Sequence, residues 1–245
     1  MFKSSNGLVV AGALAASMLF PISASALPFT FTIDSVSSFA PGFCTPSLTC
    51  APDFKSITWK TPATPVSKLT VLDLTPQPIE SDGSAVRITK LTHDNVIIPD
   101  AFSYVTEILN NIKLRAGAPP GVDPVLIDNS TSFKIKFTET VNAAPCVSPI
   151  PAGTICDDFF DFDASGLAPL AFSSGGLDYK LIFALETGMG TFFDGIRDDR
   201  IYTAEGQTSM LFVTARIVSV PEPMTLALLG LGLLGIGFTT RRRKM

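Results

Sequence analysis

The chain has a single histidine, His93, and it stands in the run Thr92-His93-Asp94-Asn95. Imidazole is the side chain whose ordinary charge change falls nearest neutrality, so it is the first place to look for proton transfer. A catalytic histidine needs a nucleophile or an orienting carboxylate. Asp94 is a poor orienter, because adjacent residues of an extended chain point to opposite faces. No Gly-x-Ser-x-Gly elbow supplies a serine nucleophile. Thr92, His93 and Asn95 instead offer hydroxyl, imidazole and amide groups that bond nearby backbone at a strand end. No catalytic residue is assigned, and the expectation is a protein that is not an enzyme.

A second cluster lies in the run CDDFFDFDASG, where Asp157, Asp158, Asp161 and Asp163 follow Cys156. Carboxylates packed this closely supply the hard oxygen donors that calcium takes, which makes them a weak calcium candidate. The spacing departs from the EF-hand loop, with no glycine at its turn position and no closing glutamate. A solvated strand face is the preferred reading, with no metal and no cofactor required. Asp194, Asp198 and Asp199 carry their own counter-charges in Arg197 and Arg200, which suggests an exposed turn with local ion pairs.

Four cysteines fall into two local pairs. In an exported chain these are expected to be disulfides, Cys44–Cys50 and Cys146–Cys156, because each interval is a proline-bearing loop whose ends can meet. Zinc would need tighter spacing and, as a rule, more histidine.

The elements that must position these groups read as strands. Phe29, Phe31 and Ile33 alternate with Thr30, Thr32 and Asp34. The same period of two runs through Phe133 to Phe137 and Tyr179 to Leu185. Further strands are predicted over 56–60, 68–74, 85–91, 107–115, 159–163, around Phe172, and over 210–218. Turn clusters separate them, among them Ser81-Asp82-Gly83-Ser84 and Ser173-Ser174-Gly175-Gly176. The run EILNNIKL, 107–114, also allows a helical turn or two. Trp59 shares a face with Ile57 and is expected in the core. The pattern predicts an all-β protein, a single antiparallel β-sandwich over 27–219.

Both ends depart from this pattern. Residues 1–26 combine Lys3, an uncharged run from Leu8 to Phe20 and the small-residue sites Ala24 and Ala26. This is a secretory signal peptide cleaved before Leu27 by signal peptidase. Residues 220–245 open with Val220-Pro221-Glu222-Pro223, continue through an uncharged Gly/Leu-rich stretch, and close on a basic tail, 241–245, with Arg241, Arg242 and Arg243. As a helix, 224–240 covers about 25 Å, a marginal membrane span, with the cations kept on the cytoplasmic side. The two prolines hold the backbone extended before it, in a form a protease can grip.

That order of parts resembles the PEP-CTERM sorting signal. The resemblance implies an exosortase as processing partner, and export across the inner membrane of a Gram-negative bacterium. A transient membrane anchor follows, then a place at the cell surface or outside the cell. Residues Thr92, His93 and Asn95 resemble the tetrad that names the THxN family of such proteins, which implies an extracellular domain and no reaction. The chain carries net charge −4, and the body is more acidic once the terminal cations are set aside. Such a surface is unsuited to nucleic acid. The resulting expectation is a structural or adhesive protein of exopolysaccharide or biofilm. The alternative is a carbohydrate- or calcium-binding module, and a secreted hydrolase is the least favoured.

Overall fold

A computed structural model of the chain describes residues 28–45, 48–59, 66–74, 76–98, 101–120, 122–142, 156–163, 165, 167–194 and 199–221. The signal-cleavage residues Ala24, Ala26 and Leu27 lie outside the described residues. So do Cys146, Glu222, Pro223, the expected span 224–240 and Arg241, Arg242 and Arg243.

Antiparallel strands dominate. In chain order they are β1 (Thr30–Phe39), β2 (Leu48–Cys50), β3 (Ser56–Trp59), β4 (Ser67–Asp73), β5 (Gln77–Glu80), β6 (Val86–Asp94) and β7 (Phe102–Ala116). These are followed by β8 (Val122–Glu139), β9 (Asp158–Asp163), β10 (Leu170–Ser174), β11 (Leu177–Thr187), β12 (Thr191–Phe193), β13 (Arg200–Thr203) and β14 (Thr208–Val220). A 3-10 turn, Pro41–Phe43, follows β1. They form two seven-stranded sheets, ordered β12-β13-β9-β8-β7-β1-β5 and β10-β11-β14-β6-β4-β3-β2. The chain is an all-β sandwich.

Parity explains which side chains meet between the sheets. Along β7 the buried positions are Tyr104, Thr106, Ile108, Asn110, Ile112 and Leu114, an unbroken period of two. That periodicity overturns the helical alternative for 107–114. Asn110 had disguised it, since a polar residue at a core position breaks the apolar pattern. Its side chain is held from both sheets: Ser37 Oγ, on the neighbouring strand β1, donates to Asn110 Oδ1 at 2.5 Å and lies 2.8 Å from Thr89 Oγ1 of β6 in the facing sheet. The strands β2, β5, β12 and β13 are three or four residues long, too short to show a period. Arg200 pairs across strands with Asp161 of β9 at 2.7 Å, so its partner is not the local turn expected from sequence.

The sandwich has two distinct ends. At one, the start of β1 and the end of β14 lie together: Ser81 N donates to Phe29 O at 2.9 Å and Ser219 N to Asp82 Oδ1 at 2.9 Å. β14 then runs the length of the molecule, about 40 Å at 3.3 Å per residue. The opposite end gathers the last residues of β6 and β8, the first of β9, and the β13–β14 turn.

Cys44 and Cys50 form a disulfide between the 3-10 turn and β2, as their spacing predicts. Cys156 is also disulfide-bonded, while its expected partner lies outside the described residues. Closing so short a loop restricts the unfolded chain by about 2 kcal/mol. The paired change Cys44→Ser with Cys50→Ser is therefore expected to lower unfolding free energy by about that amount, read from urea midpoints under oxidising conditions.

Candidate functional site

On β8 the inward row Phe133, Ile135, Phe137 ends in Glu139, and on β9 the inward row Asp158, Phe160, Phe162 begins with a carboxylate. Strand parity alone therefore drives two acidic side chains into the gap between the sheets. The β13–β14 turn adds Glu205 beside Gly206, whose φ of +69° suits glycine. Glu139 and Asp158 are fully buried and Glu205 is 8% exposed. One oxygen from each of the three lies within 4.8 Å of the others.

Their bonds leave capacity unused. Trp59 Nε1 donates to Glu139 Oε2 at 3.2 Å, Thr140 N to Asp158 Oδ1 at 2.7 Å, and Asn142 Nδ2 to Glu205 Oε1 at 3.3 Å. The second oxygen of each carboxylate has no hydrogen-bond donor. Glu139 and Asp158 face each other closely enough to share a proton, but ionised carboxylates only accept, so that contact is a bond only when something positive sits between them. Among the described residues the side-chain ion pairs are Lys55–Asp73, Arg87–Glu186, Lys113–Asp128 and Arg200–Asp161. None of them reaches the trio.

Burial, reinforced by the neighbouring carboxylates, therefore pushes all three upward from the usual carboxylate range. Glu139 rises to about 8 and Asp158 higher still. Burial also raises the Tyr104 hydroxyl, with the charges of Glu139 and Asp158 adding to the effect.

The tetrad borders this cluster and splits by parity. His93 and Asn95 point inward and are 2% exposed, while Thr92 and Asp94 face outward. Asp94 Oδ1 accepts from Thr208 Oγ1 at 2.7 Å, which fixes the β6–β14 edge. The N–H side of the Asn95 amide faces Asp158 and Glu205 and acts to lower both, against the larger effect of burial. Its Nδ2 donates to Ala204 O at 3.4 Å, and its Oδ1 has no partner. His93 stacks on Trp59 with ring centroids 5.4 Å apart and meets Phe137 and Phe160 edge-on. Its Nδ1 lies 3.0 Å from Thr203 Oγ1.

Burial lowers the imidazole to about 3, so it is neutral at ordinary pH. The cavity that His93 lines has a volume of about 10 Å³, room for one water at most. Trp59 is core, as its parity with Ile57 predicts, and its indole N–H also donates to Glu139.

The four aspartates expected to act together do not converge. Asp158 joins the buried cluster and Asp157 is buried beside it. Asp161 lies on the opposite face of β9, paired with Arg200, and Asp163 is exposed, accepting from Ser165 N at 3.1 Å. Alternation separates residues that are close in sequence. Glu139 and Glu205 were missed because they are distant in sequence from that run. The available clue was an acidic residue continuing an apolar row of matching parity.

At the other end, Ser219 is clamped by Asp82, whose carboxyl is held below its usual value by the hydroxyl and backbone N–H of Ser219. The ladder ends at Val220 opposite Asp178, and Pro221 follows, exposed. Residues 219–244 match the family model of the PEP-CTERM protein-sorting motif. No curated protein matches the chain. The motif implies exosortase-dependent sorting of an extracellular protein, with export and a membrane-anchored C-terminal signal.

The raised carboxyls have a consequence for stability. Between an unfolded value of about 4 and the raised folded ones, the folded state binds more protons than the unfolded chain, so stability falls as pH rises. His93 acts in the opposite sense, costing stability as pH drops below its unfolded 6.5, but it is one group against three. With divalent ions removed, the urea midpoint is expected to fall from about pH 5 to about pH 8; a rise across that range would contradict the buried, unpaired cluster.

Proposed function

We propose that this chain is a structural or adhesive protein of the bacterial surface or extracellular polysaccharide, delivered there by its C-terminal sorting motif. The observation that carries the reading is the match at residues 219–244, which begins inside the last two residues of β14. Cleavage at or after Pro221 would remove the tail without removing a strand-forming residue. The sandwich would be released, or passed to an attachment site, intact.

Two further observations support a non-enzymatic role. His93 is walled in by Trp59, Phe137 and Phe160, so no substrate reaches the imidazole. One of the outer clefts, lined by Gly42, Phe43, Thr45, Leu48 and Phe102 to Val105, carries no carboxylate, histidine or thiol to act on a bound molecule, and in another Asp178 accepts from Ser173 Oγ at 2.6 Å. An acidic body favours solubility outside the cell over binding to polyanions. Neutral extracellular polysaccharide is the partner that suits it, and exosortase and signal peptidase are the processing enzymes.

Intact-mass analysis of the protein from its host, with and without the exosortase, tests the delivery step. The mature mass is expected to end between Val220 and Pro223 only where the enzyme is present. Extracellular protein that still carries Met245 would contradict this. Fractionation of the same cultures should place the processed form with surface or polysaccharide material rather than free in the medium.

A further inference from the structure

We propose that Glu139, Asp158 and Glu205, together with the side-chain oxygen of Asn95, form a buried calcium site that joins the two sheets at the end of the sandwich opposite the sorting tail. Three carboxylates within 4.8 Å of one another satisfy each other only by holding protons between them, and among the described residues no lysine or arginine neutralises them. A buried carboxylate without a counter-charge is unstable unless it takes up a proton or a metal ion.

The amide of Asn95 is the independent sign that a metal belongs there. It is 2% exposed, its N–H side faces Asp158 and Glu205, and its Oδ1 has no donor, so a half-turn of the planar amide presents that oxygen to the carboxylates. Protons shared among the carboxylates would leave that carbonyl oxygen unsatisfied. A cation would take it as a neutral ligand. Tyr104, whose buried hydroxyl oxygen also has no partner, feels the same charges and limits the site on the β7 side.

The chemistry selects the ion. Every donor is a hard oxygen, which excludes the thiophilic and imidazole-seeking metals. Calcium oxygens at 2.3–2.6 Å span up to about 5 Å across the ion, matching the mutual separation of the three carboxylates. Magnesium prefers a smaller octahedron, holds several waters and uses one or two carboxylates. A site whose donors are three buried carboxylates suits it poorly. Export supplies calcium at concentrations that extracellular modules use.

The ligands come from both layers. Glu139 and Asp158 belong to one sheet and Asn95 follows β6 of the other, while Glu205 sits in the turn that passes from β13 to β14 between them. One ion therefore closes the far end of the sandwich, and His93, stacked on the Trp59 that donates to Glu139, holds the aromatic wall behind it.

Calorimetric titration and thermal unfolding of the full-length protein in detergent, after treatment with EDTA, test the site. Calcium is expected to bind at one per chain with a Kd in the millimolar range or below, and to raise Tm by about 5 °C at saturating concentration. Magnesium at the same concentration should give a much smaller shift. Asp158→Asn keeps the shape and removes a charge, so the EDTA-treated variant is expected to melt no lower than EDTA-treated wild type while losing the calcium response. Asn95→Ala should weaken calcium binding about tenfold, the loss of one ligand. Asp163→Asn, on the exposed face of β9, should leave the response intact.

An unchanged wild-type Tm with calcium and no calorimetric binding would overturn the site. So would a calcium response that survives in Asp158→Asn, since the ion would then be held elsewhere. Should Asp158→Asn fail to fold, the Asn95→Ala and Asp163→Asn pair decides by the same comparison. A magnesium shift equal to that of calcium overturns the assignment of the ion.

Discussion

Three carboxylates that can only accept hydrogen bonds, enclosed between two apolar sheets, impose the strongest constraint in this molecule. Everything at that end of the sandwich is arranged about them. Trp59 turns its Nε1 toward Glu139, Thr140 gives its backbone N–H to Asp158, and Asn142 gives its amide to Glu205. His93, Phe137 and Phe160 close the aromatic wall that keeps water away. Such a wall makes each donor worth more and each missing one more costly. On the proposed reading, a calcium ion would convert that mutual repulsion into the tie between the layers. In its absence the same groups hold protons, and the far end of the sandwich is stable only where those protons stay bound.

The two ends of β14 divide the labour of the protein. One emerges as the sorting motif, with Ser219 fixed by Asp82 and Pro221 exposed beyond it. The other begins next to the turn that carries Glu205. A processing enzyme working at the first end meets a strand edge anchored against being pulled, and the chemistry of the second lies about 40 Å away. Sorting and the proposed calcium site are therefore separable, and loss of either leaves the other testable.

The fold was legible in the sequence wherever an apolar period of two ran unbroken, as in Phe29 to Ile33, Phe133 to Phe137 and Tyr179 to Leu185. It was ambiguous at Glu107 to Leu114, where Asn110 occupies a core position because Ser37 on the neighbouring strand and Thr89 on the facing sheet supply its partners. No local pattern reveals such partners. The tetrad drew notice through its residue types, yet its environment depended on pairing β6 with β14 and facing β8 and β9. The aspartate run does not act as one set: Asp158 belongs to the buried cluster, while Asp161 and Asp163 turn outward by parity. The two glutamates that complete the cluster are brought in by the topology of both sheets, which no spacing in the sequence encodes.

The most direct test uses the only tryptophan in the chain. Trp59 touches Glu139 at 3.2 Å, so a luminescent terbium ion, which takes oxygen ligands of the calcium kind, would lie beside the indole when bound. Excitation of the tryptophan should produce terbium emission that saturates at one ion per chain and is displaced by calcium. Absence of that emission, or emission that excess calcium fails to displace, would contradict the account.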